Sequence, residues 1–434
     1  MVQGFSTRYN LHMRSRPLVV LVLTISALAQ NSPKPASQPE SKSVTVPMTV
    51  DHNRVIIDVD LPLPNGTTKR VHAWVDNANP DLYLSRRLFE STGGSLSCDG
   101  QVCSGTPPLE MNIGGMTIAL GGRIPGFGIK EAKVPAGGAP IAPGLDADIN
   151  LPSTVLRNYD VLINFPDHEL TLASSGSLKF KGVAAKVIVN AGNGLIQVPS
   201  QIENKKYTLA LDLGSSISFL AEDLFDRLAA AHPDWPHMTG AIGPANLRGS
   251  EDETKWKLMR VDRLQFGPLF LTNVAVVDFP TDRMSVFQKR AGTPTAGLLG
   301  ANALINYRVG LDYAHSTVYF DIGRLFNFPD FDVIGLILRP EDDGRFTILG
   351  IADFDGTPSV PEVQAGDQLV AVDGVPVSGS ALGQVWSMLG GEPGKERRLT
   401  VERNGKQFTV VAKAQHFLGE TEENNKSKGK PRKN

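Results

Sequence analysis

Cysteine is nearly absent from this chain: 434 residues contain two, Cys98 and Cys103, with four residues between them. A zinc site needs more ligands nearby than this pair provides. Outside the cytoplasm such a pair is expected to close a small disulfide loop, with two free thiols as the alternative. An excess of positive charge is missing too. The formal net charge is −2, and no basic patch runs through the folded part, which argues against nucleic acid as the main partner. Past the N-terminus no apolar run is long enough to span a bilayer. No Gly-x-Ser-x-Gly elbow is present. His232-Pro233-Asp234-Trp235-Pro236-His237 holds two histidines, but its prolines break any helical ligand spacing, so it reads as a surface loop rather than a metal site. Gly390-Gly391-Glu392-Pro393-Gly394-Lys395 has the wrong glycine spacing for a phosphate loop, and Glu396 stands where a hydroxyl is needed. No metal or cofactor is expected.

What is present begins with an export signal. Arg8, Arg14 and Arg16 precede an apolar core from Leu18 to Leu28, and Ala27-Leu28-Ala29 is a small-x-small cleavage site. The apolar run is short for a membrane anchor, which is the alternative. An exported, periplasmic or secreted protein with no integral span after cleavage near Ala29 is expected. Residues 30–46 read as a polar, proline-rich spacer. From Val44 to about residue 325 the chain alternates short apolar runs with glycine and proline turns, which predicts a mainly β fold. Two helices are expected within it, over Leu84–Ser91 and Ala221–Ala231.

The strongest organisational feature is a repeat. Arg70-Val71-His72-Ala73-Trp74-Val75-Asp76-Asn77-Ala78-Asn79 aligns without gaps on Lys206-Tyr207-Thr208-Leu209-Ala210-Leu211-Asp212-Leu213-Gly214-Ser215. Leu84, Leu88 and Phe89 then lie over Leu220, Leu224 and Phe225, and Leu151–Val161 over Leu299–Val309. Met111–Ile118 resembles Arg263–Phe270 as a strand–turn–strand. Two similar lobes follow, about 47–180 and 181–326. In each, an apolar strand ends on an aspartate in a tight turn. Beyond Pro329 the texture changes to a smaller unit, about 330–415. It carries an amphipathic helix, Ser380 to Leu389, and a hairpin through Asn404-Gly405. Residues 416–434 read as a polar, basic tail.

These two lobes resemble the aspartic peptidases of the pepsin and retropepsin type. The family loop, Asp-Thr/Ser-Gly-Thr/Ser, is matched by Asp212-Leu213-Gly214-Ser215 and degenerately by Asp76-Asn77-Ala78-Asn79. The family's second segment is matched by Leu298-Leu299-Gly300 and loosely by Asn150-Leu151-Pro152. The Cys98–Cys103 loop resembles the small disulfide loop of pepsins. The resemblance implies a bilobal β fold and Asp76 and Asp212 as a catalytic pair, with Asn77, Gly214, Ser215 and Gly300 supporting the loops. Two carboxylates about 3 Å apart share one proton; the handling of that proton belongs to the pair. A cleft between the lobes would then hold an extended polypeptide, with a hairpin near Ile113–Thr117 to cover it.

The departures from the pattern set further expectations. The family hydroxyl after each aspartate bonds the opposite loop; Leu213 has none, and Asn77 offers an amide instead. Ala78 replaces a glycine, which would cost where φ is positive, and Pro152 removes a backbone donor. The resemblance implies an aspartic-type endopeptidase. Its alternatives are a non-catalytic peptide-binding protein that keeps the fold, and a dimer pairing lobe two with its own copy. The C-terminal unit resembles a PDZ domain, a small α+β, partly open barrel. Ile334, Gly335, Leu336 and Ile337 match the carboxylate-binding loop and strand, and Leu382 begins the groove helix. That resemblance implies capture of peptide C-termini by strand addition, or a unit packed against the lobes with its groove blocked.

Overall fold

The computed structural model describes residues 43–120, 129–323 and 330–420. The export signal over residues 1–29, the spacer before Ser43 and the tail beyond residue 420 lie outside these. The fold is mainly β and bilobal. Among the described residues no helix is long and apolar enough to cross a membrane.

Each lobe is built on the same pairing. In the first, strand Thr68–Asp76 lies between the antiparallel Arg54–Pro62 and the parallel Ile149–Pro152, which sets Asp76 beside Pro152. In the second, Lys205–Asp212 lies between Ile196–Ile202 and the parallel Gly297–Gly300, which sets Asp212 beside Gly300. Val71, Ala73 and Val75 are buried at period two, as are Leu209 and Leu211. That alternation is what a half-buried strand requires. Each strand thus delivers its aspartate at its C-terminal end. The loops that follow are held alike: the Ser153 N–H donates to Asn79 O at 2.9 Å, and the Ala301 N–H to Ser215 O at 2.9 Å.

A sheet joins the lobes. Tyr159–Asn164 of the first pairs antiparallel with Tyr307–Asp312 of the second, Val161 opposite Leu311. Strand Ser43–Asp51 feeds this sheet through Glu169–Ser174 and the first lobe through Arg54–Pro62. One buried cluster runs through both lobes, from Val55 and Ile57 to Val309 and Phe320.

Several boundaries differ from expectation. Residues 43–46 belong to the first strand rather than to a spacer. Phe417 and Leu418 are buried, so the chain stays packed past 416. The expected helices are Arg86–Ser91 and Glu222–Ala231, and a further helix spans Thr281–Ala291. That helix buries only Met284 and Ala291, too little apolar surface for a periodic signal. Its C-terminal Lys289, Arg290 and left-handed Gly292 were the signature that could have revealed it. The turn between Glu110–Ile113 and Met116–Ala119 packs Gly114 on Val44 and Val46. The Ile113–Thr117 hairpin is therefore anchored to the first strand rather than free to cover a cleft.

The C-terminal unit is a six-stranded sheet with helix Leu382–Leu389. Asn404 and Gly405 both take positive φ, as a two-residue hairpin turn demands. Its core is continuous with lobe two: Phe219, Ala241, Ile242 and Trp256 share one buried cluster with Phe331, Leu336, Val385 and Leu389. Buried Arg260 fastens the junction. Its guanidinium donates to Asp330 at 2.8 and 2.7 Å, to Leu418 O at 3.0 Å and to Asn273 O at 3.2 Å. Removing one partner of such a pair strands the other's polar groups, at about 3 kcal/mol. Arg260→Ala is expected to lose about that much stability and to split one calorimetric transition into two. A single unshifted transition would show that Arg260 does not fasten the junction.

Candidate active site

The two aspartate loops meet through Asn77. Its Nδ2 donates to Leu211 O at 2.8 Å, and its Oδ1 accepts the Leu213 N–H at 2.7 Å. Both bonded groups flank Asp212. A side-chain amide carries one donor and one acceptor in the arrangement of a peptide unit, so Asn77 serves both neighbours of Asp212 at once. Asn77 is fully buried, where unpaired groups are expensive. Leu213 makes no reciprocal bond and is buried as an apolar residue instead.

Gly214 supplies the close approach. A β-carbon there would stand 2.6 Å from Asp76 Oδ1 and 2.9 Å from its Cγ. The Asp76 carboxylate therefore lies directly on the Gly214 backbone, whose N–H donates to Asp212 Oδ1 at 3.1 Å. The two carboxyl groups come together at this residue. In lobe one the matching position is Ala78, which is not among the residues with positive φ, so its side chain carries no backbone strain. Its N–H donates to Asp76 Oδ1 at 3.3 Å.

Pro152 is accommodated by a matched change. In lobe two the Gly300 N–H donates to Ser218 Oγ at 2.9 Å. A β-carbon at Gly300 would meet Ile217 O at 2.3 Å. The residue equivalent to Ser218 in lobe one is Leu82, which has no acceptor, and Pro152 has no donor. Asn150 completes the first loop, donating to Asp81 O at 2.9 Å and accepting the Tyr83 N–H at 2.6 Å. Ser215 donates to Ile217 O at 2.8 Å, within its own turn.

Electrostatics follow from this packing. Asp76 is buried, and Asp212 keeps partial access to solvent. Desolvation raises the proton affinity of both. For Asp212 the neighbouring Asp76 charge raises it further, against donors from Gly214 and Ser215. For Asp76 the donors of Ala78 and Asn79 and the charge of Arg248 act in the opposite direction. Both carboxyls are thus held above the ordinary carboxyl range, and the proton they share belongs to the pair.

The residues singled out in the C-terminal unit are placed differently. Ile334, Leu336, Ile337 and Leu382 are buried. The Ile334 N–H donates to Leu389 O, the Leu336 N–H to Ile334 O, and Gly335 O accepts from Ala352 N–H. Strand Leu336–Pro340 is a sheet edge, paired on one side with Phe346–Ile351. Its outward groups at Leu338 are taken by Asn246: Nδ2 donates to Leu338 O, and the Leu338 N–H donates to Oδ1, both at 3.0 Å. Pro340 has no donor to offer. Cys98 and Cys103 form a disulfide across the hairpin of Leu96–Asp99 and Val102–Gly105, apart from the aspartate loops in sequence. Sequence reasoning missed Asn246, and missed that the Asn77 amide serves two groups.

Two outcomes test this geometry. Asn77→Leu leaves a carbonyl and an N–H buried without partners, a loss of about 3 kcal/mol in denaturant unfolding. Gly214→Ala pushes the Asp76 carboxylate aside, and a displacement of about 1 Å is expected to cut any turnover roughly a hundredfold. Near-wild-type kinetics in Gly214→Ala would show that the carboxylates do not work together.

Compared with known proteins, the chain matches no family model and no curated protein. Among solved structures it is similar to an aspartic proteinase from Irpex lacteus, at 10% identity and a TM-score of 0.40, over 67% of this chain and 100% of that one.

Proposed function

We propose that this protein is an exported aspartic-type endopeptidase acting on extended polypeptide segments. The observation that carries the reading is the meeting of Asp76 and Asp212 at Gly214, with both proton affinities raised by burial. A pair so placed holds one proton where isolated carboxyls have none. Asp76, as carboxylate, takes a proton from water while the water oxygen attacks the scissile carbonyl carbon. Asp212 gives its proton to the carbonyl oxygen, forming a neutral tetrahedral diol. Collapse breaks the C–N bond as the nitrogen takes the proton from Asp76, and a diol hydroxyl returns one to Asp212. The site is restored with both carboxyls as they began.

The Cys98–Cys103 disulfide is compatible with an oxidising compartment. The C-terminal unit, read as PDZ-like, would dock a peptide only by displacing Asn246 from Leu338. Its packed position favours a structural role.

The test is cleavage of unfolded polypeptide by the purified full chain across pH, beside Asp76→Asn and Asp212→Asn. Both variants are expected to be inactive, and the wild-type profile to be a bell with its limbs above the ordinary carboxyl range near pH 4. Activity surviving Asp76→Asn would sink the shared pair. Stability supplies a second readout with a fixed sign. Folded-state pKa values raised above the unfolded value of about 3.9 mean that the folded protein binds more protons between the two. Stability therefore falls as pH rises through that window. Asp212→Asn is expected to melt higher than wild type at pH 7, with the difference shrinking toward pH 4.

A further inference from the structure

The connection between His237–Thr239 and Lys257–Phe266 has a counterpart in lobe one. Lobe two pairs Ser218–Ala221 parallel with Leu269–Phe279, then Lys257–Phe266, then His237–Thr239. Lobe one pairs Leu82–Tyr83 parallel with Ala132–Pro135, then Val102–Gly105, then Leu96–Asp99. The first-lobe connection is a short turn closed by the disulfide. The second-lobe connection, residues 240–256, is long and held at several points. Ser216 Oγ donates to Pro244 O at 2.7 Å, four residues past Asp212, and His52 Nε2 contacts Gly243 O at 2.6 Å. Asn246 is fixed to Leu338 as described. Buried Glu253 accepts the Arg248 N–H at 2.9 Å, the Gly249 N–H at 3.2 Å and Asn246 Nδ2 at 2.7 Å.

Arg248 therefore has a rigid backbone. Its side chain is exposed, and among the described residues its guanidinium has no hydrogen-bond or ion-pair partner. Asp81 pairs with Arg290 at 3.3 Å, and Glu253 is consumed by the loop. The charge of Arg248 nonetheless reaches Asp76, the Tyr83 phenol and buried Arg54. An unpaired guanidinium thus extends from a loop that is tied to the turn after Asp212 and to Leu338, and its charge acts on Asp76. A planar fork of N–H donors matches a carboxylate bidentately.

We propose that Arg248 is a specificity-determining residue that binds a carboxylate of the substrate close to the scissile bond, an inference that rests on the peptidase reading of the site. The carboxylate belongs either to an Asp or Glu side chain or to a chain terminus. Matched peptides separate these sources: one sequence carrying Glu, Gln or Lys in turn on each side of the cleaved bond, each as free acid and as C-terminal amide. The expected result is a kcat/KM about tenfold higher for Glu than for Gln, or for free acid than for amide, as a charge-assisted pair gives. In Arg248→Gln that ratio is expected to fall to about one, and in Arg248→Glu to invert in favour of the Lys peptide. A wild-type ratio near one, or a ratio unchanged in both variants, overturns the proposal and leaves Arg248 a solvated surface residue. If the wild type cleaves nothing, the peptidase reading fails by itself. The same ratios, taken from peptide-binding anisotropy with Asp212→Asn and its Arg248→Gln double variant, then decide whether the carboxylate site exists.

Discussion

The Asn77 amide is the constraint on which the rest of the site depends. Two β lobes can each bring an aspartate to the end of a strand, but nothing in a single lobe sets the distance between them. Asn77 crosses from one loop and bonds the backbone on either side of Asp212. Both groups it satisfies are buried, so any separation of the loops leaves a carbonyl and an N–H unpaired. That cost keeps the carboxylates together against the repulsion they would feel if both were ionised. One amide acting from one side makes a hydroxyl at Leu213 unnecessary.

The same device recurs. Asn150 serves the Asp81 carbonyl and the Tyr83 N–H in lobe one, where lobe two uses strand pairing between Phe219 and Leu298. Asn246 takes both outward groups of Leu338 at the edge of the C-terminal sheet. In each case a side-chain amide stands in for a missing strand. An exposed sheet edge invites unwanted pairing, and Asn246 closes this one with the chain's own loop. That loop also carries Arg248. The shared core of Phe219, Trp256, Leu336 and Val385 makes the two parts one cooperative body.

The lobes have diverged by matched losses. Pro152 lacks the donor that Gly300 uses, and Leu82 lacks the acceptor that Ser218 provides. Each change alone would strand a polar group; together they replace a hydrogen bond with apolar contact, which is nearly neutral. Read singly, Pro152 and Ala78 look like damage to the first loop. Read with their neighbours they are compatible with it.

Much of this was legible in the chain. Strand-ending aspartates, their gapless ten-residue alignment and the period-two burial of Val71, Ala73 and Val75 are local, because alternation and turn chemistry act between near neighbours. The Asn404-Gly405 hairpin and the Cys98–Cys103 loop are local for the same reason. The bonds of Asn77 span 134 and 136 residues, and those of Asn246 span 92. An asparagine gives no sign in sequence of which backbone it will serve. Local patterning was enough for two β lobes, each presenting one carboxylate on a tight turn. Long-range packing brings these carboxylates together, closes the edge at Leu338 and leaves Arg248 unpaired. Each of those depends on which distant polar groups come to share a buried space.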